Sequence, residues 1–214
     1  MPGIKLRSGE TIVFAGDSIT DCGRFQFPPL GNGYVYIFNN LLLAKHPELK
    51  VNVVNAGVSG NTVVDLKSRW EDDVLSLNPD WVSILIGIND IHRHLGGQPG
   101  FDPESYYRNY REILEMTRER LRGAKLVLLA PFYVSRATVG GSFRRKVLET
   151  LPAYVEKVER LSREFGAIYV NLHTMFQELI KHREPTAYAP EAVHPTFAGH
   201  VAIALALMEA LEER

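Results

Sequence analysis

Five short apolar runs, each cut off by glycine or polar residues, alternate along the chain with stretches whose apolar positions recur at helical spacing. Residues 11–15 are β-branched, aromatic or small throughout, as in a fully buried strand, and the run stops at Gly16-Asp17-Ser18. Runs at 51–55, 81–86, 125–130 and 167–171 predict four further strands. Apolar stripes predict helices over 34–46, 63–77, 103–121, 144–165 and 196–211. Pro47 closes the first, Pro103 and Gly123 bracket the third, Pro152 is a point of interruption in the fourth, and Gly166 caps it. The Gly- and Pro-rich residues 25–33 predict an irregular loop. Strands joined by helical crossovers pair in parallel, and a parallel sheet is covered on both faces. The expectation is an α/β fold with a central five-stranded parallel sheet in a three-layer α/β/α sandwich. Residues 1–214 are expected to form one domain, a size at which that is common.

Composition leaves this picture intact and narrows the function. Hydrophobic residues make up 45% and charged residues 23%, ordinary values for a soluble globular protein. The 24 Lys and Arg against 25 Asp and Glu leave a net charge of -1, so no overall field recruits nucleic acid or an anionic membrane. A neutral or small molecule is the expected partner. The single cysteine, Cys22, excludes an internal disulfide and, with no histidine near it in sequence, reads as a packed thiol. The first residues hold no apolar core of signal-peptide length, and no apolar run of about 18 residues follows, so a cytoplasmic location is expected.

The candidate chemistry sits where the strands end. Ser18, Gly60 and Asn89 each follow a predicted strand, and in a parallel sheet those ends share one edge, so residues distant in sequence can converge. Taken alone, Asp17, Ser18 and Thr20 read as a turn and a helix cap. A further piece, Glu191-Ala192-Val193-His194-Pro195, changes that reading. Its spacing lets the Glu191 carboxylate fold back on the His194 imidazole, provided the loop makes a helical-type turn.

The order Ser, Gly, Asn, then acid-x-x-His resembles the SGNH family of GDSL-type esterases and acylhydrolases. The resemblance is carried by Gly16-Asp17-Ser18, residues 55–60, Gly87-Ile88-Asn89-Asp90 and Val193-His194-Pro195. It extends to bacterial intracellular acetylxylan esterases through residues 16–24, Asn61-Thr62-Val63, Arg69-Trp70-Glu71, residues 79–84 and Ala198-Gly199-His200. It implies a flavodoxin-like SGNH hydrolase domain. Two departures stand out: the acid is normally Asp where this chain has Glu191, and some relatives carry an aromatic residue where it has Pro190.

Ester hydrolysis gives each residue an expected role. Ser18 is the nucleophile, which needs a base to take its proton during attack. His194 is that base, because an imidazole titrates near neutrality and can return the proton to the leaving alcohol. Glu191 is the orienting acid. The resemblance implies an oxyanion hole made by the backbone N–H groups of Ser18 and Gly60 and the side-chain amide of Asn89. Asp17 is expected to cap or brace the loop; Asp90 and Arg24 do the same or touch substrate. His92 and His94, read as part of a polar loop, match no metal-binding pattern, and no metal or cofactor is expected. Trp70 and Trp81 read as packing residues rather than sugar platforms.

The expected function is a serine esterase that removes short acyl groups, above all acetyl, from carbohydrate esters such as acetylated xylo-oligosaccharides, through an acyl-serine intermediate. One alternative is a lysophospholipase or thioesterase of the same family. Another is a doubly wound domain that binds a sugar or phosphorylated ligand without chemistry, although the chain has no GxGxxG and no Lys-bearing glycine-rich loop. Relatives commonly form homo-oligomers, and the Tyr106, Tyr107 and Tyr110 stripe suits either an interface or a helix-to-sheet contact.

Overall fold

Each apolar run becomes one strand in the computed structural model, which describes residues 3–136 and 139–213. The strands are β1 (Thr11–Gly16), β2 (Asn52–Gly57), β3 (Trp81–Leu85), β4 (Lys125–Leu129) and β5 (Ile168–Val170). They form one parallel sheet in the order β2-β1-β3-β4-β5. Gly16 pairs with Gly57 on one side and Leu85 on the other, so the first three strands end level with one another.

The helices are α1 (Ser18–Asp21), α2 (Tyr34–Lys45), α3 (Val63–Ser68), α4 (Trp70–Asp73), α5 (Ile88–Leu95), α6 (Pro103–Arg120), α7 (Phe143–Phe165), α8 (Leu172–His182) and α9 (Phe197–Leu211). Crossovers between parallel strands are right-handed. The step from β1 to β2 runs opposite to the later steps, so α2 covers one face and α3 to α7 the other. The contacts agree: α2 packs on α9, while α6 packs on both α3 and α7. Phe14, Phe38, Leu66, Val127 and Tyr154 are among the side chains fully buried between the layers. Burying each such side chain contributes about 1.5–3 kcal/mol.

Several expectations change in detail. The stretch over 63–77 divides into α3, α4 and a 3-10 turn at Leu75–Leu77. The break falls at Arg69 (φ -111°, ψ 9°), whose guanidinium turns toward the strand ends instead of lying along a helix. Helix α7 runs through Pro152 without stopping, because Val147, Leu151, Tyr154, Val158 and Leu161 hold its buried face on both sides of the missing N–H. His92 and His94 belong to α5, not to a loop. Helix α8 follows β5 directly, started by the Asn171 side chain accepting from Thr174 N. Tyr106 and Tyr110 are fully buried within this chain and Tyr107 nearly so, which removes them from any interface. Trp70 and Trp81 are packing residues: the indole of Trp70 donates to Thr117 Oγ1 (2.9 Å) and that of Trp81 to Glu10 Oε2 (2.8 Å). Among the described residues no helix is long and apolar enough to cross a membrane.

Candidate active site

The sheet order reverses direction between β1 and β3, and open α/β sheets place their sites at such a switch point, beyond the carboxyl ends of the strands. Ser18 leaves β1 there as the first residue of α1. Asp17 caps that helix, its carboxylate accepting from Ile19 N (3.0 Å). Gly16 matters for close approach and not for a turn, since a Cβ on it would lie 2.3 Å from both the Leu85 carbonyl oxygen and Thr20 Oγ1. Any larger residue would push α1, and with it Ser18, off the sheet edge.

The Ser18 hydroxyl lies 2.8 Å from His194 Nε2. On the far side of the ring, Nδ1 of His194 makes a short contact with Glu191 Oε1. Burial pushes the Glu191 carboxyl up, but the backbone N–H and imidazole of His194 outweigh it and the net shift is downward. An ionised carboxylate only accepts, so Nδ1 carries the ring proton and the Nε2 lone pair is left to receive the hydroxyl of Ser18.

The loop that brings Glu191 and His194 together is not a helical turn. Ala192 takes a left-handed conformation (φ 83°), and the Glu191 carboxylate accepts from both Val193 N (3.2 Å) and His194 N (2.9 Å). Such a conformation is strained for a residue with a Cβ. It is held by the 2.8 Å bond from Val134 N to the Ala192 carbonyl.

Three potential donors follow the level ends of the first three strands. Among the described residues, the N–H groups of Ser18 and Gly60 donate to no protein acceptor. Gly60 has φ 83°, and a Cβ there would meet nothing within 4 Å, so the turn is left-handed and open to an approaching group. Asn89 Nδ2 gives one hydrogen to the Asn61 carbonyl (2.9 Å), which leaves its second hydrogen free. Beside it Asp90 is buried, and both its oxygens accept from Val63 N at 3.1 Å. Burial pushes the carboxyls of Asp17 and Asp90 up to about 7 each. Asp17 and Asp90 therefore brace the loops, and neither reaches the surface. Arg24 also braces: Nη1 donates to the Asn55 carbonyl (3.3 Å).

Sequence reasoning missed the residues that hold these loops in register. Arg69 donates from Nε to Asn61 Oδ1 (2.7 Å) and from its two Nη atoms to the carbonyls of Ala56 (2.8 Å) and Gly16 (3.1 Å). It touches the segments that carry Gly60, Asn89's partner Asn61, and Ser18. The Asn55 side chain donates to the carbonyls of Thr20 and Leu30, both at 2.8 Å. Tyr106 OH donates to the Ile86 carbonyl (2.9 Å) just ahead of Gly87. Cys22 ends α1 in a left-handed conformation, with Sγ 3.2 Å from Asn32 Oδ1 and 3.3 Å from His200 Nε2, a packed thiol as expected. Among the described residues no three His, Cys, Asp or Glu side chains gather as metal ligands would.

An arrangement of hydroxyl, imidazole and carboxylate beside unpaired N–H donors can attack an ester carbonyl and hold the charge that forms. Comparison with known proteins points the same way. A family model described as the GDSL-like lipase/acylhydrolase family matches residues 14–202. The acetylxylan esterase of Geobacillus stearothermophilus is 39% identical over 215 residues, covering 96% of this chain and 95% of that protein. A solved mutant of the acetyl-xylooligosaccharide esterase from Geobacillus superimposes with a TM-score of 0.89 at 37% identity, covering 99% of this chain and 98% of that one. An α/β hydrolase from the metagenome of Lake Arreo, Spain, superimposes with a TM-score of 0.87 at 32% identity, with 98% of both chains covered.

Proposed function

From the premise that the chain belongs to the GDSL-like lipase/acylhydrolase family and is a carboxylic ester hydrolase, we propose that it removes acetyl groups from short carbohydrate esters such as acetylated xylo-oligosaccharides. The observation that carries the mechanism is the continuous line from Ser18 Oγ through His194 to Glu191.

In this reading Ser18 Oγ attacks the acetyl carbonyl carbon as its proton passes to His194 Nε2. Glu191 holds the ring in place and stabilises the imidazolium. The carbonyl oxygen, now anionic, accepts from Ser18 N, Gly60 N and Asn89 Nδ2, donors fixed before the reaction and so free of reorganisation cost. The bond to the sugar oxygen then breaks, that oxygen takes the proton from His194, and acetyl-Ser18 remains. Water enters with His194 again as base, and acetate leaves as Ser18 regains its proton. The substrate class is supported by the similarity to the Geobacillus acetylxylan esterase.

The same reading has the enzyme act in the cytoplasm on oligosaccharides already taken up, as a homo-oligomer. The solvent sides of α2 and α9 support assembly, since Tyr36, Leu43, Phe197 and Leu205 are all about half exposed or more on adjacent helices. The test is acetate release from acetylated xylo-oligosaccharides together with a p-nitrophenyl ester series from acetyl to octanoyl. Activity that is highest at acetyl and absent in Ser18→Ala supports the reading. Activity that rises toward octanoyl overturns it in favour of a lysophospholipase or thioesterase.

A further inference from the structure

We propose that Phe143, backed by His92 and the buried Tyr133, forms the subsite for the leaving alcohol and that it takes a pyranose ring; this rests on the esterase reading above. His92 stands one turn beyond Asn89 on α5, and residues three apart on a helix are neighbours at about 5–6 Å between Cβ atoms. Its ring centroid lies 5.3 Å from that of Phe143 and 6.3 Å from that of Tyr133. Val134, next to Tyr133, donates to the Ala192 carbonyl inside the loop that carries Glu191 and His194. The cluster thus reaches from the Asn89 amide to the loop of the general acid.

Direction follows from the chemistry. The ester carbonyl oxygen must point at Asn89 and Gly60, whereas the alcohol oxygen must take its proton from His194. The alcohol therefore extends toward the His194 loop, to which the Tyr133-Val134 backbone is tied and beside which His92 packs edge-on to Tyr133 and tilted against Phe143. Phe143 opens α7 half exposed, a flat apolar surface on which the C–H face of a sugar can lie. His92 Nε2 is buried and has no hydrogen-bond partner among the described residues. A ring hydroxyl would supply that partner after a small side-chain adjustment. An apolar face beside a few polar groups is what recognition of a neutral, polyhydroxylated ring requires. An apolar alcohol would leave the His92 nitrogen unanswered.

The test is kcat/KM for the wild type, Phe143→Ala and Phe143→Tyr on ethyl acetate and on a monoacetylated methyl xylopyranoside. The ratio of the pyranoside value to the ethyl acetate value should fall about tenfold in Phe143→Ala, chiefly through KM, and stay within about twofold of wild type in Phe143→Tyr. Because Phe143 is half exposed, both variants should fold, and a melting curve checks this. An unchanged ratio in Phe143→Ala, or an equal loss in both variants, overturns the subsite. If the wild type cleaves ethyl acetate but not the pyranoside, the sugar subsite fails while the esterase reading stands. Cleavage of neither ester removes both.

Discussion

Arg69 Nε lies 2.7 Å from Oδ1 of Asn61, whose backbone carbonyl in turn accepts the side-chain amide of Asn89 at 2.9 Å. A guanidinium that also binds the Gly16 carbonyl ties together the loops after β1, β2 and β3, and so the three proposed oxyanion donors. Removing one such donor costs about 10²–10³ in turnover, so Asn89→Ala should lose that much kcat. Arg69→Met should lose about 10-fold to 10²-fold in kcat with KM little changed. The double variant should fall well short of the product of the two losses, because Arg69 acts partly through Asn89. Losses that multiply, measured in the same assay, would show that Arg69 acts elsewhere.

Glu191 tests the departure from the family's usual Asp. Glu191→Gln keeps an acceptor for the two backbone N–H groups but lacks the charge that stabilises the imidazolium. Loss of the charge on a buried triad acid can cost about 10⁴. Glu191 is partly exposed, so solvent shares its work and the expected loss is about 10-fold to 10²-fold in kcat, with KM little changed. Unchanged turnover in both Glu191→Gln and Glu191→Ala would remove the carboxylate from the mechanism.

Asp90 predicts a pH signature in stability. Burial raises its folded pKa to about 7, above the ordinary carboxylate value, so between about pH 4 and pH 7 the folded chain binds more protons than the unfolded one. Its contribution is then fully present at low pH and lost as the pH rises toward 7. Asp90→Asn carries no such titration, so its Tm relative to wild type should rise by several degrees between pH 5 and pH 8. A Tm difference independent of pH would contradict this. Asp17 titrates in the same window, so some slope should survive in the variant.

The fold was largely legible because buried strands announce themselves as apolar runs, and all five runs became strands. Less legible were α5 and α8, where polar positions dilute the stripe and tertiary packing decides. The meeting of Ser18 with His194 was legible from the order of the motifs, and the position of Gly60 and Asn89 just beyond strand ends from the apolar runs before them. The closing of Glu191 onto His194 was legible in spacing but not in form, since no sequence rule puts Ala192 at positive φ. The role of Arg69 was the least visible: the sequence marks it as part of a motif in a helical stretch, but its partners Gly16, Ala56 and Asn61 lie on segments that only the folded sheet brings together.

The most direct test of the account is covalent labelling with a small fluorophosphonate, followed by peptide mass mapping. The geometry predicts one adduct, on Ser18, formed at a rate that drops sharply in His194→Ala and parallels the loss of ester hydrolysis. Full hydrolytic activity in a protein that takes no label at Ser18, or retains it in Ser18→Ala, would contradict the assignment of the nucleophile and the mechanism built on it.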